Sequence, residues 1–185
     1  ETGVNEQCDD NNTMNGDGCS STCQLEPEAV LATPTGTANG DISPSGDQDL
    51  FAVTLTAGQF LRAEVTDMAG TGCPGDLALD LYGPDGITIL GSDDDNGNGV
   101  CPLINPLTNT FARALPAGRY LLRVRASNDT DLITGYRLQT SVTSNLCGDG
   151  TPQSGEQCDD SNTTAGDGCS ATCQWETIAT ASGMG

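Results

Sequence analysis

The stretch Asp76-Leu77-Ala78-Leu79-Asp80-Leu81-Tyr82-Gly83-Pro84-Asp85-Gly86 decides the architecture. In an extended chain Leu77, Leu79 and Leu81 share one face and Ala78, Asp80 and Tyr82 the other, and Gly83 to Gly86 is a strong turn. The same alternation extends outward. Phe51, Val53 and Leu55 alternate with polar or small neighbours before a turn at Ala57-Gly58, and Leu61, Ala63 and Val65 alternate with Phe60, Arg62 and Glu64. Downstream, a strand over Ile87–Leu90 precedes an acidic loop at 92–99, and further strands run through Phe111–Leu115, Arg119–Ala126 and Tyr136–Val142. No window holds a helical period. Seven or eight short strands with frequent Gly, Pro and Asp turns predict a jelly-roll-like two-sheet sandwich over residues 45–143. Cys73 and Cys101 are the only cysteines in that span and are expected to pair.

Charge narrows the partners. The 185 residues carry 26 acids against 6 bases, a net charge of −20, with six Arg and neither Lys nor His. Such a chain is repelled by phosphate backbones and anionic lipid, so neither nucleic acid nor a membrane surface is an expected partner. No apolar run reaches the 18 or so residues of a spanning helix. Nine cysteines, at 8, 19, 23, 73, 101, 147, 158, 169 and 173, point to a disulfide framework and a secreted, extracellular or cell-surface location. Zinc is the competing reading, because Cys19/Cys23 and Cys169/Cys173 sit four apart. Without His, and among hard Asp and Asn oxygens, calcium suits the surroundings better.

A long-period repeat organises the chain. Glu6-Gln7-Cys8-Asp9-Asp10, Asn12-Thr13, Gly16-Asp17-Gly18-Cys19-Ser20, Thr22-Cys23-Gln24 and Glu26 recur 150 residues later, with 16 of 21 positions identical from 6 to 26 and no gap. The second copy opens earlier, with Cys147-Gly148-Asp149-Gly150, so the first is expected to be truncated, which accounts for the odd cysteine count. The expected order is a truncated cysteine-rich repeat (1–28), a linker (29–44), the sandwich (45–143), a second repeat (144–177) and a linker to a next module (178–185). An alternating array and a single sandwich with two flanking modules both fit this order.

The ordered set Asp47-x-Asp49-x-Phe51, Ala57-Gly58, Asp76-Leu77-x-Leu79-x-Leu81-Tyr82-x-Pro84-x-Gly86, Ser92-Asp93-Asp94, Leu115-Pro116-Ala117-Gly118-x-Tyr120 and Gly135-Tyr136-x-Leu138 resembles the bacterial pre-peptidase C-terminal domain over about residues 33 to 143. That resemblance implies a non-catalytic sandwich whose relatives in bacterial collagenases bind calcium and polymeric substrate. The flanking modules are similar to the cysteine-rich repeat of myxobacterial surface proteins, and more distantly to the Notch-type repeat, which is also calcium-bound. Asn11 and Ser161 stand where the repeat usually has Gly, so that turn is expected to differ.

Without His or Lys, Ser–His, Cys–His and Ser–Lys nucleophiles are impossible, and no enzyme is expected. Calcium takes six to eight oxygens from flexible acidic loops. In the small modules Asp9, Asp10, Asn12 and Asp17, with their copies Asp159, Asp160, Asn162 and Asp167, are the candidate ligands. In the sandwich they are Asp47, Asp49, Asp76, Asp93, Asp94 and Asp95. Modules this poor in apolar residues need disulfides and a cation as staples. Arg119, Arg123 and Arg125 share a strand face with Leu121 and either pair with acids on neighbouring strands or dock an acidic module. The chain therefore reads as all-β: a jelly-roll-like sandwich flanked by two small disulfide-rich, calcium-stabilised modules. Its expected role is a calcium-rigidified stalk, adhesin or filament segment that associates with neighbouring copies. The alternative is an accessory module that binds an extracellular polymer for a secreted protease.

Overall fold

The computed structural model describes residues 6–8, 13–15, 19–128 and 130–176. Among the described residues nine strands follow one another: β1 (Ala29–Leu31), β2 (Thr35–Ile42), β3 (Gln48–Leu55), β4 (Phe60–Asp67), β5 (Leu77–Tyr82), β6 (Ile89–Asp93), β7 (Leu103–Ile104), β8 (Gly118–Ala126) and β9 (Ile133–Thr143). They form a five-stranded sheet, β1-β3-β8-β5-β6, facing a four-stranded sheet, β2-β9-β4-β7. This is the two-sheet sandwich that the alternation predicts. The inward residues of both sheets make one core, with Phe51, Leu61, Leu77, Leu79, Leu81, Ile104, Tyr120, Leu122, Tyr136 and Leu138 all buried. Cys73, ahead of β5, is bridged to Cys101, beyond β6. The chain divides into two compact units, Glu1–Val142 and Thr143–Gly185, so the first cysteine-rich module clusters with the sandwich.

Three expectations are corrected. The span 29–44 is not a linker. β1 pairs in parallel with β3, Val30 opposite Ala52, and β2 pairs antiparallel with β9, Gly40 opposite Tyr136. Its small residues serve close packing, since a Cβ at Gly40 would strike the Tyr136 hydroxyl and the Asp49 carboxylate. The segment Phe111–Leu115 is not a strand: Thr110–Ala112 is a 3₁₀ turn, tied down by Arg113, whose Nε and Nη2 donate to the carbonyls of Pro106 and Leu107. The sixth strand starts at Ile89 and reaches Asp93, because the Asp85 carboxylate holds the amides of Ile87 and Thr88 (3.0 and 2.9 Å) and keeps them in the turn.

All six residues of β5 are buried. Leu77, Leu79 and Leu81 enter the core; the burial of Ala78, Asp80 and Tyr82 means that the sheet's outer face is covered as well.

Candidate cation sites and a module-docking face

Asp49 has the inward parity of Phe51 and Val53, so its carboxyl lies under the end of the sandwich, 5% exposed. The Tyr136 hydroxyl from the opposite sheet donates to its Oδ2. Glu28, the residue before β1, is anchored by its amide to Leu50 O (2.8 Å), and its carboxyl hydrogen-bonds Asp49. Burial, then the hydrogen bond to Asp49 and the charges of Asp49 and Asp47, push Glu28 up to about 7. Burial also raises Asp49, with Asp47 and Asp41 adding to it against the hydrogen bonds from Tyr136 and Glu28. Asp47 accepts from the amides of Ser43 and Gln48, both at 2.9 Å, and Asp41 accepts from Gly135 N at 2.7 Å. The structure thus joins Asp47 and Asp49 to Glu28 and Asp41, two acids the sequence did not single out. Asp41 falls in the span expected to be a linker, and Glu28 is the last residue of the repeat before it.

The other sandwich candidates lie together by the sixth strand. Asp93, 6% exposed, accepts from the amides of Asn96 (3.1 Å) and Leu103 (2.8 Å) and from the Asn96 side chain, so it shapes the loop. Asp76, Asp94 and Asp95 remain open. Partial desolvation, then the charges of Asp94, Asp76 and Asp93, raise Asp95. Arg125 lines the same hollow as Asp93 and Asp94 and brings positive charge to it.

On the outer face of the five-stranded sheet, Asp80 is 1% exposed. Arg123 Nε (2.8 Å) and Nη2 (2.6 Å) and Arg125 Nε (3.1 Å) all donate to its Oδ2. Burial would raise this carboxyl, but bonds from Ser92, Arg123 and Arg125 outweigh it and hold Asp80 below the usual range. The Arg123 guanidinium also lies over the Tyr82 ring, 5.2 Å from its centroid. Beside this network, Ala52, Tyr82 and Leu121 form a small apolar cluster of their own, and Leu25 of the first module packs on it with Leu50. Gln7 completes the contact: its Oε1 accepts from Leu25 N (3.0 Å) while its Nε2 donates to Asp85 O (2.5 Å). Of the two roles considered for the arginine face, the pairing is present, since Arg123 and Arg125 hold Asp80, while the contact with the first module is made by Leu25 and Gln7.

In the second unit, Cys147 is bridged to Cys173 and Cys158 to Cys169, which leaves no zinc thiolate among them. The Asp159 carboxylate accepts from the amides of Gly148 (3.0 Å), Asp149 (3.2 Å), Gly150 (2.9 Å) and Ser161 (2.8 Å). Those four bonds engage both of its oxygens, so Asp159 folds the loop. Burial would raise its pKa, but these amides win and lower it. Glu156, Asp159 and Cys173 bring ligand-type atoms within 4.8 Å, yet the sulfur is in a disulfide and both Asp159 oxygens are engaged. Asn162 Nδ2 donates to Asp167 (3.2 Å) and Glu176 holds the amides of Gly166 and Gly168 (2.6 and 3.2 Å), a role the sequence did not suggest for Glu176. Asp160 is exposed. Asp9, Asp10, Asn12 and Asp17 lie outside the described residues. Cys8 is bridged to Cys19.

Asp159→Ala strands four amides and is expected to lower the stability of this unit by about 2 kcal/mol or more, read by its thermal transition. Because the folded pKa is depressed, this contribution is present above the ordinary Asp range and lost as pH falls through the folded value; the gap between wild type and variant closes in acid.

A family model described as a domain of unknown function, DUF4215, matches residues 133–174. Comparison with curated proteins found no match. Among solved structures, the chain is similar to the periplasmic inhibitor of g-type lysozyme from Aeromonas hydrophila, with 15% identity and a TM-score of 0.43 over 62% of this chain and 96% of that one. It is also similar to the pre-peptidase C-terminal domain of collagenase from Bacillus anthracis, with 17% identity and a TM-score of 0.40 over 65% and 99%. Likenesses this distant assign no activity. The disulfides themselves indicate an oxidising compartment, extracellular or periplasmic.

Proposed function

We propose that this chain is a non-catalytic extracellular structural segment that holds small disulfide-bonded modules in register on β-sandwiches, with calcium clamping the junction. One observation carries this reading: Glu28, the last residue of the first module, meets the buried Asp49 of the sandwich, with Asp47 and Asp41 beside them. Carboxylates converging from two modules suit a hard divalent cation, which offsets their repulsion and ties the modules together. Glu28, Asp41, Asp47 and Asp49 are the residues that would hold it. Asp76, Asp94 and Asp95 are a second, more open set. The 150-residue repeat supports a role in which such modules recur along the chain.

Titration calorimetry of the full chain with calcium chloride tests the clamp. The double variant Glu28→Gln/Asp49→Asn is expected to weaken one class of site at least about tenfold, equivalent to about 1.4 kcal/mol. Small-angle scattering along the same titration is expected to show the chain stiffening. An isotherm unchanged by the double variant would overturn the clamp. Unchanged scattering with tight binding of collagen or another polymer would favour the accessory-module alternative.

A further inference from the structure

The two cysteine-rich modules share more than their sequence. In the first, Ser20 N donates to Gln24 O (2.9 Å), Cys23 N to Ser20 O (2.8 Å) and Gln7 N to Cys23 O (2.9 Å); in the second, Ser170 N donates to Gln174 O (3.0 Å), Cys173 N to Ser170 O (2.9 Å) and Gln157 N to Cys173 O (2.8 Å). Cys23 and Cys173 take the same positive φ, 56° and 55°. Leu25 bridges Cys19 as Trp175 bridges Cys169. Finally, Gln7 Oε1 accepts from Leu25 N at 3.0 Å and Gln157 Oε1 from Trp175 N at 3.2 Å. One hairpin presents Leu25 and the Gln7 amide; the other presents Trp175 and the Gln157 amide in the same frame.

The first hairpin is engaged. Leu25 lies on Ala52, Tyr82, Leu121 and Leu50, and Gln7 Nε2 reaches Asp85 O. The second is not: Trp175 is 69% exposed, and among the described residues none accepts from the Gln157 amide. A tryptophan so exposed is an interface residue type, with a large apolar area on a stiff side chain. The charges agree with this. Residues 138–176 hold Asp149, Glu156, Asp159, Asp160, Asp167 and Glu176 and no base, whereas the face that receives Leu25 carries Arg119, Arg123 and Arg125.

We propose that Trp175 and Gln157 form a docking surface for the outer face of the five-stranded sheet of a second copy of this chain. Trp175 takes the place of Leu25 over Ala52, Tyr82 and Leu121, and the Gln157 amide takes the place of the Gln7 amide at Asp85 O. The occupant is argued from the engaged module, which shows what this hairpin binds. The inference goes beyond the calcium clamp, because the contact it describes is apolar and needs no cation. In each copy the first module already covers the face, so the second copy must give up that cover before it can accept Trp175.

Trp175 is the single tryptophan of the chain, so its emission reports on itself. The donor is the unsubstituted 185-residue chain. The acceptor is the full chain with Leu25→Asp and Trp175→Phe, in which a charge placed on the apolar cluster releases the first module. Acceptor is titrated into donor in calcium chloride, so that no outcome can be laid to a loosened junction. The expected result is a blue shift of the donor emission and an about threefold fall in its quenching by acrylamide, both saturating. Adding Leu121→Asp to the acceptor is expected to abolish both. A milder acceptor, Gln7→Ala/Leu25→Ser/Trp175→Phe, guards against misfolding, and each acceptor is used only with a cooperative sandwich transition. Unchanged emission and quenching with both acceptors up to about 1 mM, the effective concentration of a tethered module, would overturn the proposal. So would a shift that survives Leu121→Asp.

Discussion

Breaking the bridges Cys147–Cys173 and Cys158–Cys169 is expected to unfold the second unit outright and leave the sandwich standing. The reason is the composition of the two interiors. The buried cluster of the second unit consists of Cys158, Cys169 and Cys173, with Cys147 packed against it, so the disulfides are its core. They close segments of 26 and 11 residues, and bridges over loops of that size contribute about 3 kcal/mol each by restricting the unfolded chain. A small module without aliphatic burial has no reserve of that size. The sandwich has one bridge, Cys73–Cys101, and a continuous core of aliphatic and aromatic side chains. Calorimetry in reductant is expected to lose the transition of the second unit and keep a cooperative sandwich transition at lower temperature. Survival of both transitions under full reduction would show that another staple holds the unit.

Replacing both Arg123 and Arg125 by Met is expected to cost the sandwich about 3–5 kcal/mol, because it leaves the buried Asp80 carboxylate without a cationic partner. Adding Asp80→Leu to that double variant is expected to recover most of the loss, since a buried ion cluster and a well-packed apolar one of similar volume are close in stability. Urea unfolding at neutral pH reads both. The pH dependence follows from the depressed Asp80 pKa: its contribution is present above the ordinary Asp range and is lost as pH falls through the lower folded value. The gap between wild type and the double variant should therefore narrow in acid, where Asp80 is neutral in both. Equal stability of the double and triple variants would show that water reaches Asp80.

The sandwich was legible where apolar residues alternate with polar or small ones. Period-two alternation in Phe51–Leu55, Leu61–Val65 and Leu77–Leu81 marks strands because polar partners separate the apolar ones. It fails for Thr35–Ile42, which is mostly Thr, Gly, Ala and Asn; its place in the sheet is decided by its pairing with β9 and by Tyr136, distant in sequence, coming close to Gly40. Phe111–Leu115 fails for the opposite reason: its pattern suits a strand, but Arg113 draws the backbone into a turn through the carbonyls of Pro106 and Leu107.

Acidic clusters were legible as clusters, not as ligands. Counting carboxylates does not reveal which are already taken by backbone amides, as Asp159 and Asp93 are, nor that Glu28 meets Asp49 across a strand taken for a linker. The repeat, in contrast, carried over into three dimensions, down to the matching glutamine bonds at Leu25 and Trp175.

The double-sided burial of β5 bears on where this protein can be cut. A fragment starting at residue 45 would lose β1 and β2, baring the edges of β3 and β9, and would also lose the cover over Tyr82 and Leu121. Such a piece combines open strand edges with a sticky sheet face, the two ingredients of aggregation. The smallest soluble excision of the sandwich therefore begins ahead of Gln7, and the first cysteine-rich module belongs to it as a lid belongs to its vessel.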